Sequence, residues 1–145
     1  MQKTDKIDLS FEALDNGKPL LCLDFDGVLH AYSKGYHDGS IYDSPTKGSL
    51  SFVLEAKKSF EIVIFSSRAR SPDGRDAIGH WLIRHGFPPL PVMCEKPPAF
   101  LTLDDRAMTF TGRWPNVSDL RKFKPWNAQL WGTRDLSLEE DHDES

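Results

Sequence analysis

Leu20-Leu21-Cys22-Leu23-Asp24-Phe25-Asp26-Gly27-Val28-Leu29 carries four apolar residues into two carboxylates one residue apart, and then into a glycine. The run is short, apolar on both faces and preceded by Gly17-Lys18-Pro19. It therefore suits a strand over 20–25 in the middle of a parallel sheet better than a helix. Successive side chains of a strand point to opposite faces, so Asp24 and Asp26 are expected on one face at its carboxyl end. Open α/β sheets bind ligands at that end. Two acids placed there repel each other and lose solvation, a cost that a cation or a reaction offsets. Taken alone, Asp-x-Asp fits a solvated loop start equally well.

Outward from this strand, residues 30–47 change to Tyr, Gly, Ser, His and Asp, which is loop or short-hairpin chemistry. Leu50, Val53 and Leu54 fall at i, i+3 and i+4 and predict a helix over 48–60. Glu61-Ile62-Val63-Ile64-Phe65 reads as a second buried strand ending in Ser66-Ser67-Arg68. Ser71-Pro72 opens a helix with Ile78, Trp81, Leu82 and His85 on one stripe and Gly86 as its stop. Pro91-Val92-Met93-Cys94-Glu95 makes a third strand before Lys96, and Phe100-Leu101-Thr102-Leu103 a fourth before Asp104-Asp105. An edge strand at 109–111 and a short helix at 118–123 close the series. Residues 1–17 hold one small apolar set, Ile7, Leu9, Phe11 and Leu14, without a clear element. Strand and helix alternating with short connections imply an α/β domain: a mainly parallel sheet between helices, a Rossmann-like three-layer sandwich.

A chain of 145 residues with nine Phe and four Trp has enough apolar material for one domain with its own core, which excludes a disordered class. That domain is expected over 1–137, with an acidic, solvated tail at 138–145. The tail holds five acids, so the net charge of −4 leaves residues 1–138 at +1, which neither demands nor excludes a nucleic-acid partner. No apolar run has the length of a membrane span, and the first residues lack a signal peptide's apolar core, so a cytoplasmic protein with no membrane partner is expected. Cys22 and Cys94 both fall in expected core strands and are read as buried thiols.

Four expected strand ends thus carry, in order, Asp24/Asp26, Ser66, Lys96 and Asp104/Asp105, and a parallel sheet brings such ends to one edge. This order, beginning with Leu-Asp-Phe-Asp-Gly-Val, resembles the four motifs of the haloacid dehalogenase-like (HAD) superfamily over about residues 20–115. The resemblance implies a Mg2+-dependent phosphohydrolase acting through an aspartyl-phosphate. It makes Asp24 the nucleophile, Asp26 the general acid and base, Ser66 the phosphoryl hydrogen-bond donor and Lys96 the neutralising cation. Gly27, Ser67 and Arg68, next to these residues in the sequence, are candidate substrate contacts together with Ser66. Magnesium ligands would come from Asp24, the backbone of Asp26 and the Asp104-Asp105 pair, of which strand alternation admits only one. Dehalogenase members lack the second acid and ion-pumping ATPases carry Thr there, so Asp26 favours a phosphatase or phosphotransferase. The fourth motif, Leu-Asp-Asp-Arg, departs from the commoner Gly-Asp start. The stretch 30–47 is too short for a cap domain, so the site should be open to a macromolecular phosphate end, or to a small substrate covered by another subunit.

Other residues carry weaker signals. Arg68 and Arg70 suit a second anionic group of the substrate or a solvated loop. Arg113-Trp114 and Arg121-Lys122-Phe123-Lys124-Pro125-Trp126 interleave cations with rings. That pattern fits stacking on single-stranded nucleic acid. It fits more often a terminal segment that docks its rings on the core. His30 falls beside the site, while His80 and His85 are five apart, unlike a helical metal pair.

Overall fold

The structure is a computed structural model and describes residues 17–128. Along the chain it forms β1 (Leu20–Asp24), α1 (Ser49–Ala56), β2 (Glu61–Phe65), a 3-10 turn (Ser67–Arg70) and α2 (Pro72–Arg84), and then β3 (Val92–Met93), β4 (Leu101–Leu103) and α3 (Val117–Leu120). The four strands make one all-parallel sheet in the order β3-β2-β1-β4. The stretch quoted first is thus a central strand, with Leu20 to Asp24 opposite Glu61 to Phe65 on one side and Leu21 to Leu23 opposite Leu101 to Leu103 on the other.

The pleat sorts the core. Leu21, Leu23, Ile62 and Ile64 share one face and form a single buried cluster with Val53 of α1 and Ile78, Trp81 and Leu82 of α2. Burying side chains of this size stabilises by roughly 1.5–3 kcal/mol each. Cys22 and Val63 point to the other face, where they are buried but belong to no part of that cluster. Helices α1 and α2 therefore cover one face. Among the described residues no helix supplies the other covering layer of the expected sandwich, since α3 buries no residue.

Local chemistry sets the ends of α2. Ser71 Oγ accepts a hydrogen bond from the Gly74 N–H at 3.0 Å, Pro72 takes the first helical position, and Gly86 adopts φ +82° just past the last turn. Several other boundaries differ from the sequence reading. The first helix ends at Ala56 rather than near residue 60, and Leu54 is 51% exposed because the helix buries only Ser49 and Val53. The third strand shrinks to two residues, which leaves Cys94 outside it and only partly buried. Strand β4 keeps three residues and lies at an edge with Leu101 and Leu103 exposed. Residues 109–111 form no strand, and the last helix spans Val117–Leu120. The apolar set at Ile7, Leu9, Phe11 and Leu14 and the tail at 138–145 lie outside the described residues.

Residues 31–47 contain no helix or sheet strand and no separate core; they form a flap held by short-range bonds such as Ser33 Oγ to Asp43 Oδ2 at 2.6 Å and the Tyr42 hydroxyl to the Gly35 carbonyl at 2.7 Å. The chain returns to this flap at its far end. Asn127, fully buried, donates to the carbonyls of Ala31 and Tyr32, and Trp126 Nε1 donates to the Gly27 carbonyl at 2.7 Å. No helix among the described residues is long and apolar enough to cross a membrane.

Candidate active site

All four strands run in one direction, so their carboxyl ends meet at one edge. Asp24 ends β1, Ser66 follows β2, Lys96 lies three residues past β3, and Asp104 follows β4. Asp24, Asp26, Ser66, Asp104 and Asp105 line a common cleft of about 300 Å³ with Ser67, Tyr32, Phe65 and Arg106. Each of Asp24, Asp104 and Asp105 offers a carboxylate oxygen within 4.8 Å of the other two. Strand alternation does not choose between Asp104 and Asp105, because β4 ends at Leu103 and both acids sit in the turn beyond it.

Three carboxylates so close are strongly unfavourable without a counter-charge. Two unit charges at about 4 Å repel by about 4 kcal/mol at an effective dielectric of 20. Burial, with the charges of Asp104 and Asp105 added, pushes the Asp24 carboxyl up to about 8 although Lys96 pulls the other way. Burial and the Asp104 charge also raise Asp105, which accepts a hydrogen bond from the protonated Asp24. Burial works upward on Asp104 too, but the Arg106 N–H and Lys96 outweigh it and hold that carboxyl below its ordinary range. Lys96 Nζ stands 2.9 Å from Asp104 Oδ2 and 5.3 Å from the centre of the Phe65 ring. Without a counter-charge the cluster would keep a proton on Asp24, and a bound cation would take that proton's place. An all-oxygen donor set of this charge could hold a hard divalent cation.

Gly27 is required by this cluster. Its φ is +87°, and a Cβ there would lie 2.2 Å from Asp105 Oδ2. Gly27→Ala is expected to drive Asp105 out of the cluster and to destabilise the fold by roughly 1–2 kcal/mol. A titration of the thermal midpoint with Mg2+ should show at least about a tenfold loss of metal affinity. A midpoint that rises with Mg2+ as in the unsubstituted protein would contradict the placement of Asp105.

Asp26 stands apart from these three carboxylates. Arg68 grips it with Nε on Oδ2 at 2.9 Å and Nη2 on Oδ1 at 3.1 Å, and its Nη1 donates to the Gly39 carbonyl of the flap. His30 Nδ1 is 2.8 Å from Asp26 Oδ1, while the Asp43 N–H donates to His30 Nε2 at 3.1 Å. An amide can only donate, so Nε2 accepts and Nδ1 carries the hydrogen that Asp26 receives. Burial works upward on Asp26, but His30 and Arg68 outweigh it and hold the carboxyl below its usual range. His30 is completely buried among Phe25, Tyr32, Tyr42 and Trp81, with ring centres 5.1 to 6.0 Å away. The sequence places His30 near the site but gives no sign of this role beyond its position four residues after Asp26.

Ser66 is buried, and its Oγ accepts from the Arg68 N–H at 3.1 Å, capping the 3-10 turn with its own hydroxyl hydrogen left for another acceptor. Ser67 is exposed at the rim, Arg70 is exposed, His80 is exposed, and His85 packs its ring 4.7 Å from Trp81. Set beside known proteins, the chain matches no family model, no curated protein and no solved structure.

Proposed function

We propose that the protein is a Mg2+-dependent phosphohydrolase of the HAD type that cleaves a phosphate monoester through an aspartyl-phosphate on Asp24. The observation that carries the reading is the mutual approach of Asp24, Asp104 and Asp105 at the carboxyl edge of a parallel sheet, in a cleft shared with Ser66 and Asp26. Uncatalysed monoester hydrolysis is among the slowest biological reactions, because an anion must approach an anion.

Asp24, Asp104 and Asp105 would hold the cation, which when bound cancels the charge between nucleophile and phosphoryl oxygens and orients the two. An Asp24 oxygen attacks phosphorus, the ester P–O bond breaks, and the leaving oxygen takes a proton from Asp26. Water then attacks the aspartyl-phosphate, gives its proton to Asp26, and frees phosphate and Asp24. Arg68 and His30 favour the charged Asp26 needed for that second half. An arriving phosphate dianion pushes the same carboxyl upward and so favours the proton needed in the first. Ser66 Oγ–H donates to a phosphoryl oxygen, and Lys96 balances the charge beside Asp104.

The direct test is release of inorganic phosphate from an aryl phosphate. Turnover is expected with Mg2+ and none with a chelator. Failure to release phosphate under any divalent metal would make the cleft a phosphate-binding site without turnover and end the proposal.

A further inference from the structure

The chain leaves the cleft wall at Asp105 and Arg106 and comes back beside it at Trp126, whose indole is bonded to Gly27. Trp126 also borders a second hollow of about 350 Å³ shared with Gly27, Asp104 and Asp105. Between these anchors Arg106, Arg113, Arg121, Lys122 and Lys124 stand against one acid, Asp119, so the segment carries +4 in a chain of net −4.

The usual reason for aromatic residues in such a segment is docking on the core, and here it holds for Trp126 but fails for the other rings. Trp114 is 85% exposed, Phe110 packs on it with ring centres 4.8 Å apart, and Phe123 is exposed as well. Helix α3, inside the segment, buries no residue. The burial that pins the segment is at Pro125 and Asn127, at its return end. Open π faces interleaved with cations complement a polymer that offers one phosphate and one flat base per unit. A peptide offers neither at regular intervals.

We propose that residues 106–126 form a platform for single-stranded nucleic acid, on which the strand lies with its terminal phosphomonoester in the Asp24 cleft. This rests on the phosphohydrolase reading for the chemistry, and on the exposed rings and the charge for the binding.

Two measurements keep the two ideas separate. The first is phosphate release from a short 3′- or 5′-phosphorylated oligothymidylate, from thymidine monophosphate, from a phosphopeptide and from an aryl phosphate. One of the oligothymidylates is expected to exceed the mononucleotide at least about tenfold in kcat/KM. Trp114→Ala and the double change Arg113→Ala, Lys122→Ala should each remove about tenfold of that gain and leave aryl phosphate turnover unchanged. The second is fluorescence anisotropy of a labelled oligothymidylate lacking any terminal phosphate, in chelator. Its affinity should fall with salt at a log–log slope of about −2 to −3, for three or four cations engaged, and Trp114→Ala should weaken it. Aryl phosphate turnover with no salt-dependent oligonucleotide binding would overturn the platform and leave the phosphohydrolase standing. Preference for the phosphopeptide, lost in the same variants, would also overturn it. Oligonucleotide binding through Trp114 without any phosphate release would sustain the platform and remove the chemistry.

Discussion

On the proposed mechanism, Asp24→Asn is expected to reduce Mg2+-dependent phosphate release on the order of 10⁴-fold or more, because it would remove the covalent nucleophile and leave only binding and electrostatics. A rate within tenfold of the unsubstituted protein would exclude Asp24 as nucleophile. The same substitution should make the metal-free fold less sensitive to pH. In that state burial and its two acidic neighbours hold a proton on Asp24 until about pH 8. In the unfolded chain an aspartate loses it near pH 4. Between those values the folded molecule binds more protons than the unfolded one, so stability falls as pH rises, by up to about 1.4 kcal/mol per pH unit. Asparagine cannot ionise and removes this contribution, leaving the weaker one of Asp105, which is raised for the same reason. Urea unfolding in chelator across that range measures both slopes. Mg2+ should reverse the trend, since binding requires the deprotonated cluster and its stabilisation grows with pH.

Trp81→Ala should be the most damaging single truncation in the core, at about 3–5 kcal/mol, a large part of the 5–15 kcal/mol of a typical domain. Trp81 is 1% exposed and sits edge-on to Phe25 with ring centres 5.1 Å apart and against Phe87 at 5.9 Å. Its Nε1 donates to the Asp43 carbonyl at 2.9 Å, and the N–H of Asp43 in turn fixes His30 against Asp26. Trp81→Phe keeps most of the apolar volume but strips that carbonyl of its donor, and should cost about 1–3 kcal/mol. Chemical unfolding of the two variants separates packing from the hydrogen bond. Equal midpoints for Phe and the original Trp would show that the flap does not depend on this bond.

What could be read from residue order alone follows from local rules. An apolar run of strand length ending in acids, and Ser-Pro before a stripe at helical spacing, each express a preference that neighbours in the chain impose. β1, β2 and α2 therefore lie close to where those signals put them. The signal weakens where the run is mixed, and there the boundaries moved: Pro91-Val92-Met93-Cys94-Glu95 keeps only two strand residues, and Leu54 faces solvent despite its helical spacing.

The acids at the strand ends were thus legible, and with them the candidate chemistry. Their partners were not. That Arg68 grips Asp26 from 42 positions away, that both Asp104 and Asp105 reach Asp24, and that Gly27 must lack a side chain to admit Asp105 are consequences of strand register and of turns beyond the strands. The exposure of Phe110 and Trp114 belongs to the same class, since periodicity says which residues share a face but not whether anything covers it. Pattern along the chain reports each segment's preference for water or core; only the assembled sheet sets which charges must share one cleft, because Coulomb interactions act through space and not along the backbone.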